Sequence, residues 1–167
     1  MDDLWIEAFR YNKWANLHLL DVCAKLTDEQ LEWTAPGTYG TIASTFHHLV
    51  GAEQRYLRRL DGGQSSTNEK DGFPGIARLS ELASDTGDRL INAAAKITPA
   101  DAIEENNDGR KVKLYLGVVI IQALHHGNDH RTHICTILGY HDIEYGQMDV
   151  WAYGEAIGAI APIPAAK

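Results

Sequence analysis

The chain has 167 residues, 15 basic and 23 acidic side chains, and a formal charge of −8, a length that suits one domain able to bury ~70% of its unfolded surface without disulfide staples. Apolar residues make up 44% and charged residues 23%, as in an ordinary soluble globular protein. The acidic balance argues against nucleic-acid binding, which needs a basic face, and no apolar run reaches the ~18 residues of a membrane span.

The N-terminus, MDDLWIEAF, lacks the basic start of a secretory signal and opens a helix expected over Asp3–Leu26, with acidic residues at its N-terminal end. Trp5, Phe9, Asn12, Asn16, Leu19, Leu20 and Cys23 fall near one stripe of it. Thr27 and Gln30 form a capping-box pattern for one short turn, TDEQLEW, and the loop APGTYG follows. A second long helix is expected from Thr41, as N-cap, to about Leu60. The breaker-rich stretch Asp61–Gly75 reads as a mobile loop or a functional lid. A third helix is expected over Arg78–Lys96, although Gly87 inside it costs ~1 kcal/mol relative to Ala. Thr98-Pro99 ends it. Asp108-Gly109, within EENNDGRKVKLYL, is the signature of a short hairpin turn. The fourth long helix is expected over Tyr115–Leu138 with Gly139 as its C-cap, and a short fifth over Val150–Ile157. Residues 1–158 therefore form a single domain, and the tail from Ala159 to Lys167 is expected to be a poorly ordered end. No internal repeat is visible. Four long helices with loops between them predict an all-α four-helix bundle with short extra helices.

There are eight histidines, and six lie in two short stretches: His47 and His48, then His125, His126, His130 and His133. On the fourth long helix, Leu116, Ala123, Gly127 and Ile134 set the inward direction. His130 then lies about 40° from it and His126 about 80° on the same side, whereas His125 lies almost opposite. His126 and His130 are thus an inward i,i+4 pair, whose Cβ atoms lie ~6 Å apart. Two imidazoles at that spacing converge on one ion. A catalytic zinc site needs a third protein ligand and an open position. The His47-His48 pair is the obvious source, but both lie at similar angles from their helix's apolar stripe, so periodicity does not choose between them. His18, His47, His125 and His141 are expected to face solvent. His133 reads as a surface residue, a hydrogen-bond partner behind a ligand, or an alternative ligand.

The opening FRYNKWANLHLL, the segments TDEQLEW and GTYGTIASTFHHLVGAEQRYL, and the run HHGNDHRTHICTILGY together resemble the DinB/YfiT-like family of bacterial helical-bundle metalloproteins. The resemblance covers most of the chain. It implies a four-helix bundle, commonly a homodimer, and a divalent-metal site formed by His48, His126 and His130. Thr132-His133 stands where the family often has Gly-Gln, and Gln122 where many members carry a further histidine.

Imidazole is a neutral ligand, so a three-histidine ion keeps its charge and lowers the pKa of a bound water or thiol. The expected activity is metal-dependent transfer of a low-molecular-weight thiol to an electrophilic small molecule, as in thiol S-transferases. The alternatives are a metal-dependent hydrolase, or a non-catalytic metal-binding or stress-response bundle acting through its dimer. Zinc or nickel is expected first, with iron, cobalt or manganese as further candidates, because imidazole suits several of these ions alike. His133 is the candidate fourth ligand if the site is closed.

Glu53 falls on the inward stripe of its helix. It either orients a ligand histidine from behind or pairs with an arginine inside the bundle. Arg131, on the apolar side of its own helix, is expected to pair with a carboxylate. Asp129 is expected at the surface, and Trp5, Trp14 and Tyr11 in the core. Cys23 and Cys135 sit in apolar helix patterns and read as buried packing. Two cysteines are also too few for a secreted disulfide framework, so a cytoplasmic location is expected.

Overall fold

The computed structural model describes residues 3–98 and 100–163. The elements are α1 (Asp3–Cys23), α2 (Asp28–Leu31), α3 (Ile42–Asp61), a 3-10 turn at Glu69–Asp71, α4 (Ile76–Ala94), β1 (Ala102–Asn107), β2 (Arg110–Tyr115), α5 (Leu116–Tyr140) and α6 (Val150–Ala156). The four long helices close into a ring. α1 packs on α4 and α5, and α3 packs on the same two. The expected all-α bundle is what the chain forms, with one small antiparallel hairpin beside it. Among the described residues, no helix is long and apolar enough to cross a membrane.

The helix starts follow their capping residues. The Thr27 hydroxyl accepts from the Gln30 amide at 3.2 Å while the Gln30 side chain accepts from the Thr27 amide at 2.8 Å. Thr41 caps α3 in the same way, with Ser44 returning the bond; Ser is an unusual partner in a box that favours Glu or Gln. Asp108 and Gly109 both adopt positive φ, 50° and 80°. That is the backbone a two-residue type I′ hairpin requires, and it pairs Asn107 with Arg110.

The end of α5 corrects an expectation. Gly139 lies inside the helix, which continues to Tyr140. The left-handed residue is Asp142, at φ 56°. The Ile143 amide donates to Leu138 O and the Asp142 amide to Gly139 O, the two bonds of a Schellman motif. Aspartate tolerates the left-handed region better than most residues, so it serves where glycine is usual. The expected tail is described as far as Ile163. Its Ala159 and Ile160 amides donate to Gly154 O at 2.8 and 3.1 Å, and residues 164–167 lie outside the described residues.

Two apolar layers fill the bundle. One gathers Leu19, Leu20, Ile42, Phe46, Leu49, Leu79, Ile134 and Leu138 among others. The other holds Phe9, Leu57, Leu90, Ala93, Ala94, Ile120 and Ala123. In sequence, Asn12, Asn16, Glu53 and Arg131 fall between residues of the two layers, and all four are buried. Arg131 Nη1 donates to the side-chain oxygens of Asn12 and Asn16 at 2.7 and 2.6 Å. The amide nitrogens of Asn12 and Asn16 donate to Glu53 Oε1 at 2.7 and 3.0 Å. This network ties α1, α3 and α5 together across the centre of the ring.

Gly127 makes room for it. A Cβ there would meet Asn12 Oδ1 at 2.6 Å and Arg131 Nη1 at 3.1 Å. Gly87 has a similar task between α4 and α1, because a Cβ would lie 2.7 Å from the Lys13 stem.

Tyr11 and Trp14, both half-buried, pack on the buried Tyr153 of α6, with ring centroids 5.9 and 5.6 Å from the Tyr153 ring. Trp5, expected in the core, is 42% exposed. It lies in the first turns of α1, beyond Phe9, the α1 residue in the apolar layer at that end.

Candidate metal centre

His126 and His130 sit one turn apart on α5, and His48 approaches them from the neighbouring α3. His126 Nε2 lies 3.2 Å from His48 Nε2 and 3.1 Å from His130 Nε2. The three ligand nitrogens all fall within 4.8 Å of one another. For a tetrahedral ion with bonds of ~2.0–2.1 Å, ligand nitrogens lie ~3.4 Å apart, so the spacing fits a shared ion. Of the adjacent pair on α3, His48 therefore joins the cluster.

Hydrogen bonding alone does not account for the arrangement. A neutral imidazole has one N–H and one lone pair. His48 Nδ1 lies 2.9 Å from Glu69 Oε2; the carboxylate only accepts, so Nδ1 carries a proton. His126 Nε2 takes part in one in-plane bond, not two, so one of its two close contacts stays unmet. A cation among the three nitrogens satisfies all of them. Burial first, then the charge of neighbouring histidines, lowers the His126 and His130 pKa values to about 4. Both rings are thus neutral at pH 7, as ligands must be.

The surroundings are aromatic and acidic. The Tyr39 ring stacks on His48 with centroids 4.5 Å apart and meets His130 edge-on at 4.7 Å. Tyr56 stands edge-on to His126 at 5.6 Å, and its hydroxyl accepts from Gln122 Nε2 at 3.3 Å. Glu69 also accepts from Arg55 Nη1 at 2.8 Å. Partial burial pushes the Glu69 carboxyl up, but His48 and Arg55 outweigh it and hold the pKa below the usual range. His48 and His126 keep partial exposure, whereas His130 is buried.

The other expected residues divide. His133 lies edge-on beside His130, with centroids 5.6 Å apart, and stands outside the three-nitrogen group. Glu53 is taken up by Asn12, Asn16 and, through them, Arg131; the carboxylate bonded to a histidine of the cluster is Glu69. Burial pushes the Glu53 carboxyl up, against the hydrogen bonds from Asn12 and Asn16 and the charge of Arg131.

His47 corrects the expectation of a solvent-facing ring. It is 4% exposed and bonds Thr67 Oγ1 through Nε2 at 2.8 Å, because the loop after α3 folds back over it. His141 is half-buried, stacked on Trp33 at 4.1 Å, and His18 is half-buried against Trp14. His125 faces solvent as expected, paired with exposed Asp129.

Sequence periodicity misses Tyr39 and Glu69, and it places Tyr56 on the apolar stripe of its helix without showing that the ring meets His126. The one signal for Glu69 was its place in the loop read as a lid.

A crystal structure of a DinB-like protein from Bacillus cereus ATCC 10987 superposes with a TM-score of 0.62 at 18% identity, covering 86% of this chain and 94% of that one. At that identity the likeness concerns the fold. No curated protein matches the sequence. The family model of the DinB superfamily matches residues 13–134, a span that takes in all three clustered histidines and most of the bundle, and the chain belongs to that superfamily.

Proposed function

We propose that this protein is a divalent-metal-dependent enzyme that joins a low-molecular-weight thiol to an electrophilic small molecule. The observation that carries the reading is the convergence of three imidazole nitrogens, with no fourth protein donor in the group among the described residues. A site with three protein ligands keeps a position for an exogenous molecule. A divalent ion held there supplies Lewis acidity that lowers the pKa of a thiol or water in its open position.

The chain's own residues do the rest. His48, His126 and His130 hold the ion without cancelling its charge. The rings of Tyr39 and Tyr56 wall the cluster on two sides. A groove of about 180 Å³, lined by Tyr56, Leu114, Val118, Val119 and Gln122, shares the Tyr56 ring with the cluster. A cavity of ~150 Å³ takes one benzene, so the groove has room for one apolar group of an electrophile. Its one arginine, Arg59, is already paired with Glu105 at 2.8 Å, which favours an uncharged group.

The nucleophile comes from outside the chain. Burial pushes the Cys23 and Cys135 thiols up to about 12 and about 11, so neither supplies thiolate at neutral pH.

A conjugation assay with several low-molecular-weight thiols and model electrophiles tests the reading. The expected result is product with metal-loaded wild type and none with stripped protein or His126→Ala. No product across the panel, with metal fully loaded, contradicts the enzyme reading and leaves a binding protein.

A further inference from the structure

The segment between α3 and α4 is nearly all exposed from Gly62 to Gly75, and its one large apolar side chain, Phe73, is 37% exposed. Apolar burial therefore does little to hold it. Polar contacts to one face of α3 do. Gln54 Oε1 accepts from the Ser66 and Thr67 amides at 2.8 and 3.3 Å. His47 bonds Thr67. Glu69 lies over α3 between His48 and Arg55. Asn68 caps the short turn that presents Glu69, accepting from the Lys70 amide at 3.1 Å. Of all these contacts, the one from Glu69 alone reaches a histidine of the metal cluster.

We infer that Glu69 is a positioning residue that couples metal loading to docking of the 62–75 loop; the inference rests on the metal reading of the three-histidine cluster. An ion on His48 Nε2 requires the proton on Nδ1, and that proton needs an acceptor. Glu69 is the acceptor the structure provides, and it reaches His48 only when the loop lies down on α3. A docked loop thus orients His48 for the metal, and the metal favours the docked loop. The two effects are equal by linkage. Partners behind a metal-bound histidine are worth ~10–100-fold in metal affinity.

The test uses full-length wild type, Glu69→Ala and Glu69→Gln. Zinc affinity is measured against a competing chelator, and trypsin cleavage after Lys70, which lies in the loop, is followed with and without zinc. Glu69 is a loop residue outside the core, so the metal-free variants keep the wild-type Tm. Wild type is expected to bind zinc and to resist cleavage at Lys70 once loaded. Glu69→Ala is expected to bind ~10–100-fold more weakly and to lose the protection at saturating zinc. Glu69→Gln, which keeps an acceptor oxygen, falls between the two. Glu69→Ala binding within twofold of wild type, or protection of Lys70 equal in both, overturns the coupling and leaves the metal site standing. Wild type that binds no zinc overturns the metal reading and the coupling with it.

Discussion

At residue scale, His126 and His130 are the part of the site most legible in the sequence. A helix repeats every 3.6 residues, so two residues four apart share a face whatever surrounds them. His48 is less legible because its neighbour is also a histidine, and a 100° step sends one ring to the cluster and the other beneath a loop. Glu69 is not legible by period at all, since an irregular segment has no repeating direction.

The two cysteines carry a residue-scale prediction. With both thiols raised by burial, iodoacetamide at pH 8 is expected to label the native protein at least ~100-fold more slowly than the urea-unfolded chain. Fast native labelling of either would break the argument that the thiol comes from outside. Glu53 carries another. Glu53→Ala removes the acceptor of Asn12 and Asn16 and leaves Arg131 buried without a carboxylate nearby, at a cost of ~3–5 kcal/mol. Urea denaturation measures it, and a loss under 1 kcal/mol would show that the network contributes little.

Individual helices and loops were foreseen where a residue dictates backbone geometry. Thr27, Thr41 and the Asp108-Gly109 turn each do so, and each element begins or turns as expected. Gly139 misleads because Asp142 takes the left-handed position that glycine usually fills. The loop over Asp61–Gly75 was legible as a break in periodicity; the side chains that pin it, Gln54 and His47, were not, because a buried polar residue on a helix does not announce its partner.

Gly127 matters at this scale, since it lets α5 lie against the Asn12–Glu53–Arg131 network while carrying the clustered histidines His126 and His130 on either side of it in sequence. Gly127→Ala has better helix propensity by ~1 kcal/mol, yet its methyl would stand 2.6 Å from Asn12 Oδ1. Overpacking of this kind costs ~1–3 kcal/mol, so the net expectation is a lower Tm together with weaker metal binding, as α5 shifts against α3. A raised Tm with unchanged metal affinity would show that the contact is easily relieved.

Across the whole molecule, two apolar layers supply the bulk of the burial, and the polar layer between them fixes how α3 and α5 are aligned. That alignment is what brings His48 to the other two. In the metal-free protein, His126 and His130 have folded pKa values of about 4 against ~6.5 when unfolded. The unfolded chain therefore binds more protons between those values, and stability falls as pH drops from about 6.5 toward 4. Tm measured over that window should decline for stripped wild type and decline less for His126→Ala; equal slopes would show that the rings are not depressed in the folded state. The central claim is that three histidines from two helices hold one ion. Its most direct test is metal content by elemental analysis after reconstitution and desalting of wild type, His48→Ala, His126→Ala and His130→Ala. The account predicts one ion per chain in wild type and a loss of most of it in each variant, whereas equal metal in all four would contradict it.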